Sequence, residues 1–494
     1  MPEDPRPAPP AAGDQPARPA RSLRFPIGVA VATTVLILGL SVLGPRLNLL
    51  PWGCYRFQYR PMFGVAFVAL VFTSLPWVFR WVRSPGAAAW KKLLVLVPLG
   101  ACLQWAVILA EARGARPMTE KLFDTGHVEF LRVGLQPLPE HLVRRYEELI
   151  PERKWVFPRS KPPGSLVFYR AVVVVAETRV GAALQRLFYG TTDRLDLLSQ
   201  VRQRLSSVLF ILLPLLTFLT VVPLFLLARN LLGARAAEVA ALLYLTAPMV
   251  LIVVMHLDGG LYPLLGTTAL WLAHEGARRR RLWLGALGGA VLSLGLFTTF
   301  GLLPLVPLAV VLVLGAALAD TAAPLPARLR RAALDAGLFA AGLLAVHVVF
   351  VVALGYRPLA RVAGAQAFHA SFKGDIPLAP WLWGNMIQFA LWLGLPLAFA
   401  ALAAVVAAAR RGAWRSAAGA LCLGLGVFIA ITDFIGHAKS EVMRLWLFWV
   451  PFLCLAAAGR LVVWEEEGRK PVVAAALLLQ LVYVFAFRAL YDCY

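Results

Sequence analysis

The sequence predicts an all-α polytopic membrane protein of about 13 transmembrane helices, with one large outer loop carrying surface helices. Three observations predict it. Sixty per cent of the 494 residues are apolar, against roughly 45 to 50% in soluble domains. The apolar residues fall in runs of about 18 to 25, long enough to cross a ~30 Å hydrocarbon core. The net charge is +22, yet the basic residues sit in short clusters between those runs. There they read as topology signals and lipid-headgroup contacts, not as a nucleic-acid surface. Cys102, Cys422 and Cys454 fall inside apolar runs, and Cys54 and Cys493 near membrane ends, which is no disulfide framework.

Residues 1–22 are rich in Pro and Ala, with Arg6, Arg18 and Arg21 and nothing to pack, and read as a disordered cytoplasmic tail. Residues 23–90 hold two N-terminal spans. The first, about 25 to 44, resembles a signal-peptide core, but no clear small-residue cleavage site follows and Arg46 and Leu47 lead into more membrane sequence, so it reads as a true span. Further runs start near 62, 91, 205, 235, 258, 281, 300, 335, 383, 416, 442 and 471, making thirteen. Residues 91–320 group as one module around the loop 112–204, and residues 321–494 as a C-terminal set of spans.

Charge counting orients the chain. With the N-terminus inside, the inner segments hold 23 Lys and Arg and the short outer segments 9, while the long loop holds 16. Arg278 to Arg281, Arg328, Arg330, Arg331, Arg410, Arg411 and Arg415 all fall inside, so the bias is spread over many loops. The positive-inside rule places residues 112–204 outside, and long loops translocate largely regardless of their own charge. Glu465 to Glu467 fall inside and read as solvated.

The loop 112–204 is the long polar island of the chain, with 10 of the 26 acids. Pro117 to Val133 and Glu140 to Ile150 place apolar residues at helical spacing among charges, as segments lying flat on a membrane do. Pro158, Pro162 and Pro163 then predict an extended turn, released by Gly164 into the apolar stretch from Ser165 to Ala176. Two shorter outer segments follow: 356–381 with His369, Lys373 and Asp375, and 436–444 with His437, Lys439, Glu441 and Arg444. The fifth span ends in Met255-His256-Leu257-Asp258-Gly259-Gly260, with almost no loop before the next. A carboxylate there is expensive unless it has a partner or a task. Asp124 and Asp258, joined by His127 and His256, are therefore expected to face a common cavity at the outer membrane boundary.

Asp124 after an inside-to-outside span, Lys161-Pro162-Pro163-Gly164 some forty residues later, a second acid in His256-Leu257-Asp258, and the Arg278 to Arg281 cluster after the following span resemble the GT-C glycosyltransferases. The similarity is to the group of protein O-mannosyltransferases and lipid A aminoarabinose transferases. It covers roughly residues 90 to 320, with an echo in Glu441-Val442-Met443-Arg444-Leu445-Trp446. The resemblance implies a GT-C-like catalytic module over 91–320 and a sugar donor carried on a polyprenyl phosphate in the bilayer. It further implies an acceptor that is a lipid, a glycan or a protein, and a multi-pass protein of the bacterial inner membrane with its site on the periplasmic face. Asp124 corresponds to the catalytic carboxylate and Asp258 to the second acid. Where the family often has an acid directly after the first, Thr125 stands here, with Glu129 the nearby substitute, and two extra spans precede the matching region.

Transfer from such a donor needs a base for the acceptor and cations for the phosphate leaving group. Asp124 is the candidate base, Lys161, Arg444 and Lys439 the candidate phosphate partners, and single displacement inverts the anomeric carbon. His127, His256 and Glu441 complete the candidate binding set. A divalent metal held by the two acids and the two histidines is the minority option, because four ligands from remote segments cannot be read from spacing. Each residue also has a plainer reading: Asp124 as the cap of a surface helix, Asp258 as the partner of a nearby Arg, Lys161 as an interfacial lysine. The rival function is a lipid or solute transporter or flippase. Against it, no internal repeat is visible, and His347 and Asp433 are the only ionisable groups clearly within later spans.

Overall fold

Every regular element among the described residues is helical, because a chain in hydrocarbon must satisfy its backbone polar groups within each segment. The computed structural model describes residues 65–109, 122–123, 128–135, 141–190, 197–374, 376–439, 441–469 and 471–490. The expected tail, the first expected span, Asp124, His127 and Asp375 lie outside the described residues.

Among the described residues six helices are long and apolar enough to cross a membrane: Ala89–Leu109, Ser199–Leu232, Phe300–Leu318, Leu325–Leu354, Ala417–Ile435 and Leu447–Glu466. The pair Leu378–Leu393 and Leu395–Arg410 makes a seventh crossing if taken as one span; it bends by 116° at Gly394, whose φ of 90° suits glycine. Three other places where the sequence predicts spans carry a helix that is shorter, broken or more polar. Leu282–Thr298 has 17 residues, and the run from 235 divides into Ala234–Thr246 and Pro248–Ile252 at Pro248. The Leu257–Arg279 helix carries Asp258, Thr267, His274 and Glu275 along its length.

The Leu447–Glu466 segment is the most enclosed of the long helices and Leu325–Leu354 the least, the latter turning Leu344, Val348, Val349 and Val352 outward, as a lipid-facing helix does. Leu282–Thr298 packs closely on Leu325–Leu354 because Gly289 lies against the Phe339 carbonyl and Gly342 against that of Ala286, the small-residue route to close helix approach in membranes. Within these later helices Ser293 Oγ pairs with His347 Nδ1, and Asn385 Nδ2 donates to Asp433 at 2.8 Å.

Glu465 departs from its solvated reading. It is 7% exposed and accepts from Arg83 at 2.9 and 2.7 Å and from Arg235 at 2.9 Å. Tertiary packing brings those two guanidinium groups to the end of its helix. Nearby in sequence to these partners, Lys92 donates to Glu238 at 2.5 Å, fully buried.

Candidate functional site

The site forms where the first turn of Leu257–Arg279 meets the loop 141–190 and the segment after 441. Asp258 and Tyr262 stand four residues apart, on one helix face. The turn is entered through Met255, a non-glycine residue at φ 63°, a backbone state that persists only where the surroundings impose it. His256 occupies the N-cap position, and its carbonyl accepts from the amides of Gly259 and Gly260 at 3.2 and 3.3 Å. The helix N-terminus favours a carboxylate in this first turn.

Lys161 reaches Asp258 from the proline turn, which differs from the extended turn predicted. Phe157–Ser160 is a short 3-10 helix with Pro158 in its first turn, and Lys161 after it is extended at φ −129°, ψ 155°. A proline at the start of a helical turn loses no needed N–H, whereas Pro162 pushes the residue before it into the extended region. The free amides at the head of the turn, Val156 and Phe157, donate to the two carboxylate oxygens of Glu129 at 2.7 and 2.6 Å. Glu129, the candidate substitute acid, thus caps this turn. Beyond it, Gly164 lies against the Phe297 carbonyl so closely that a Cβ would sit 2.4 Å from the oxygen. This contact docks the turn on the end of Leu282–Thr298.

Lys161 Nζ donates to Asp258 Oδ1 at 3.0 Å and to the Tyr262 hydroxyl at 3.3 Å. The chain continues with Tyr262 3.3 Å from Ser165 Oγ, which donates to the Thr298 carbonyl at 2.7 Å. Lys161 also lies over the rings of Tyr262, at 5.2 Å, and Phe130, at 5.9 Å. Burial opposes its charge, and the Asp258 carboxylate with Tyr262 more than offsets that, holding its pKa above the ordinary lysine value. On the other side Arg444 Nε stands 3.7 Å from Asp258 Oδ2, an oxygen with no hydrogen bond. Arg444 comes from the short helix Val442–Leu445 and is shared with Glu441, at 3.1 Å. The Asp258 side chain is 4% exposed, Lys161 13% and Arg444 25%, so access to the cluster is from the cations.

Of the residues singled out in the sequence, Lys161, Asp258, Arg444 and Glu441 come together, with His256 two positions from Asp258 and buried. Lys439 is placed on the Ile376 carbonyl at 2.7 Å, joining the segments 356–381 and 436–444. Asp124 and His127 lie outside the described residues, though Phe123 on one side and Phe130 on the other are buried. Tyr262 and Ser165 were not singled out. The four-residue spacing from Asp258 was the available signal for Tyr262, and none existed for Ser165. Among the described residues no three His, Cys, Asp or Glu side chains gather as a metal set. Two cations around Asp258 repel a divalent ion, so a metal does not fit this cluster.

Fold and site together define a polytopic helical membrane protein with a buried cation, carboxylate, cation cluster at one end of its bundle. No family model matches the chain and no curated protein matches it. Among solved structures it is similar to the oligosaccharyltransferase of Archaeoglobus fulgidus. With the complex containing zinc and sulfate it shares 16% identity at a TM-score of 0.38, over 65% of this chain and 44% of that one. With the same enzyme tethered through a disulfide to an acceptor peptide containing the NVT sequon, it shares 13% at a TM-score of 0.38, over 95% and 56%. The chain spans about half the length of that protein. A likeness of this degree carries no argument about the site, which rests on its own residues.

Proposed function

We propose that the protein is a membrane glycosyltransferase of the GT-C type. It moves a sugar from a polyprenyl-phosphate donor to an acceptor on the outer face of a bacterial inner membrane, with inversion. The observation that carries the reading is the convergence of Lys161 and Arg444 on Asp258, with these cations the more exposed members of the cluster. Leaving-group phosphate gathers charge as the glycosidic bond breaks, and fixed cations in a site of low dielectric stabilise that charge more than water does. Asp258 serves as the second acid by holding both cations in place. Glu441, paired with Arg444, is the anion that an arriving phosphate displaces. Asp124 serves as the base that takes the acceptor proton. Phe130, six residues after it, packs on Lys161, which supports a shared site. The positive-inside charge distribution supports the outer location.

The test is transfer from a polyprenyl-phosphate sugar in proteoliposomes, with binding of the same lipid measured alongside. Asp124→Asn keeps the shape and removes the proton acceptor, so transfer is expected to fall by roughly 100- to 10,000-fold with carrier binding intact. Lys161→Ala and Arg444→Ala are expected to weaken carrier binding and turnover together. Full activity in Asp124→Asn overturns the base assignment. Lipid scrambling without transfer by the unaltered chain favours the flippase.

A further inference from the structure

We infer that Arg361 is the positioning residue for Lys161: from the second outer segment it grips the turn that delivers the ammonium to Asp258. The inference rests on the reading above only for its consequence for turnover. The position of Lys161 is measurable without any substrate.

Arg361 lies in the first turn of Pro358–Lys373 and is 2% exposed. Its Nη2 donates to the Arg159 carbonyl at 2.6 Å and its Nη1 to Glu147 Oε2 at 3.2 Å. The guanidinium carbon stands 5.7 Å from the centre of the Tyr146 ring. The Tyr146 hydroxyl in turn lies 3.0 Å from the Pro158 carbonyl and 3.2 Å from the Lys161 carbonyl, sharing its proton between them. Three carbonyls of the turn, at 158, 159 and 161, are thereby held by one small cluster. The Pro158 carbonyl also accepts from the Lys161 amide at 3.2 Å; the last carbonyls of a helical turn lack further partners along the chain, and Arg361 and Tyr146 supply them from outside. Gly364, one turn further along, leaves room for the guanidinium, since a Cβ there would stand 2.5 Å from Nη2. Phe372, near the end of the same helix, packs edge-on against Phe157 at 6.3 Å.

A lysine carries its charge on a flexible four-carbon stem, so the place of its ammonium depends on how firmly its Cα is held. Asp258 and Tyr262 sit on a packed helix, whereas Lys161 sits on a loop turn, and Arg361 makes that turn as fixed as the helix it faces. A buried guanidinium is costly, and apolar packing commonly stabilises as well or better. Its planar fork, spanning a carboxylate and a carbonyl at once, is the property that apolar packing lacks.

The test uses the full chain in lipid nanodiscs, pulse-acylated with an amine-reactive ester and read by mass spectrometry at Lys161 and, for reference, at Lys92, which is buried against Glu238. Arg361→Lys keeps a charge opposite Glu147 but lacks the fork, Arg361→Gln removes the charge, and Asp258→Asn releases Lys161 directly. Labelling of Lys161 is expected to rise severalfold in both Arg361 variants, because an ammonium no longer held on Asp258 loses its proton more readily and meets the ester more often. It should approach the level in Asp258→Asn, with Lys92 unchanged. Wild-type labelling of Lys161 in both Arg361 variants overturns the proposal, as does a rise matched by Lys92, which reports general loosening. Acylation needs no sugar donor. A chain that passes this test yet transfers nothing keeps the positioning role and loses only the glycosyltransferase reading.

Discussion

Asp258 and Glu275 stand near opposite ends of one helix, roughly 26 Å apart by its rise, and each is a buried acid between two cations. Glu275 takes its cations from its own helix: Arg278 at 2.9 Å and Arg279, three and four residues on, 42% and 50% exposed. Asp258 takes Lys161 from 97 positions away and Arg444 from a third segment, both more deeply buried. The first arrangement is a local consequence of helix geometry, and cations in a last turn also suit the helix dipole. The second requires two segments remote in sequence to be docked on the helix and desolvated. Desolvation of that kind is seldom repaid in stability alone, which is why the Asp258 end is the functional candidate and the Glu275 end a helix terminus.

The largest effect that separates the two ends is on stability. Asp258→Asn removes the buried carboxylate on which Lys161 and Arg444 converge and is expected to cost about 3 to 5 kcal/mol. Glu275→Gln, opposite solvated arginines, is expected to cost about 1 kcal/mol. Unfolding in mixed detergent micelles measures both, and equal costs would erase the distinction.

A smaller effect probes the docking of the turn. Gly164→Ala forces the chain away from the Phe297 carbonyl and is expected to cost about 1 to 3 kcal/mol, as overpacking does. Gly337, in the middle of Leu325–Leu354 with nothing near a Cβ, should instead gain about 0.5 to 1 kcal/mol on replacement by Ala. A neutral Gly164→Ala, with lysine labelling at 161 unchanged, would show that the close contact does not hold the turn.

The smallest effect is salt dependence. The cost of Arg279→Gln, under about 1 kcal/mol at low salt, is expected to vanish near 1 M salt, where the screening length is ~3 Å. That of Arg444→Gln is expected to persist, because its partner is buried. Parallel loss of both on adding salt would mean that the Asp258 cluster is as open to solvent as the other end.

The sequence by itself determined the class and everything that depends on near neighbours. Apolar runs specify helices in a membrane because unpaired backbone is intolerable there. Spacings of three and four residues specify Glu275 with Arg278 and Arg279, and Asp258 with Tyr262. Lys161, Asp258 and Arg444 were each legible as candidates, the acid by its costly place, the lysine by its proline turn. A shared site was expected of them; the direct pairing of Lys161 with Asp258 was not. Nor were the helical form of Phe157–Ser160 capped by Glu129, the pairing of Glu465 with Arg83 and Arg235, or the grip of Arg361 on Arg159. Only the tertiary structure decided these, because the entropy of closing a loop grows only with the logarithm of its length. Separations of 97 or 202 residues therefore favour no partner over another, and the packing of the helices that carry the groups makes the choice.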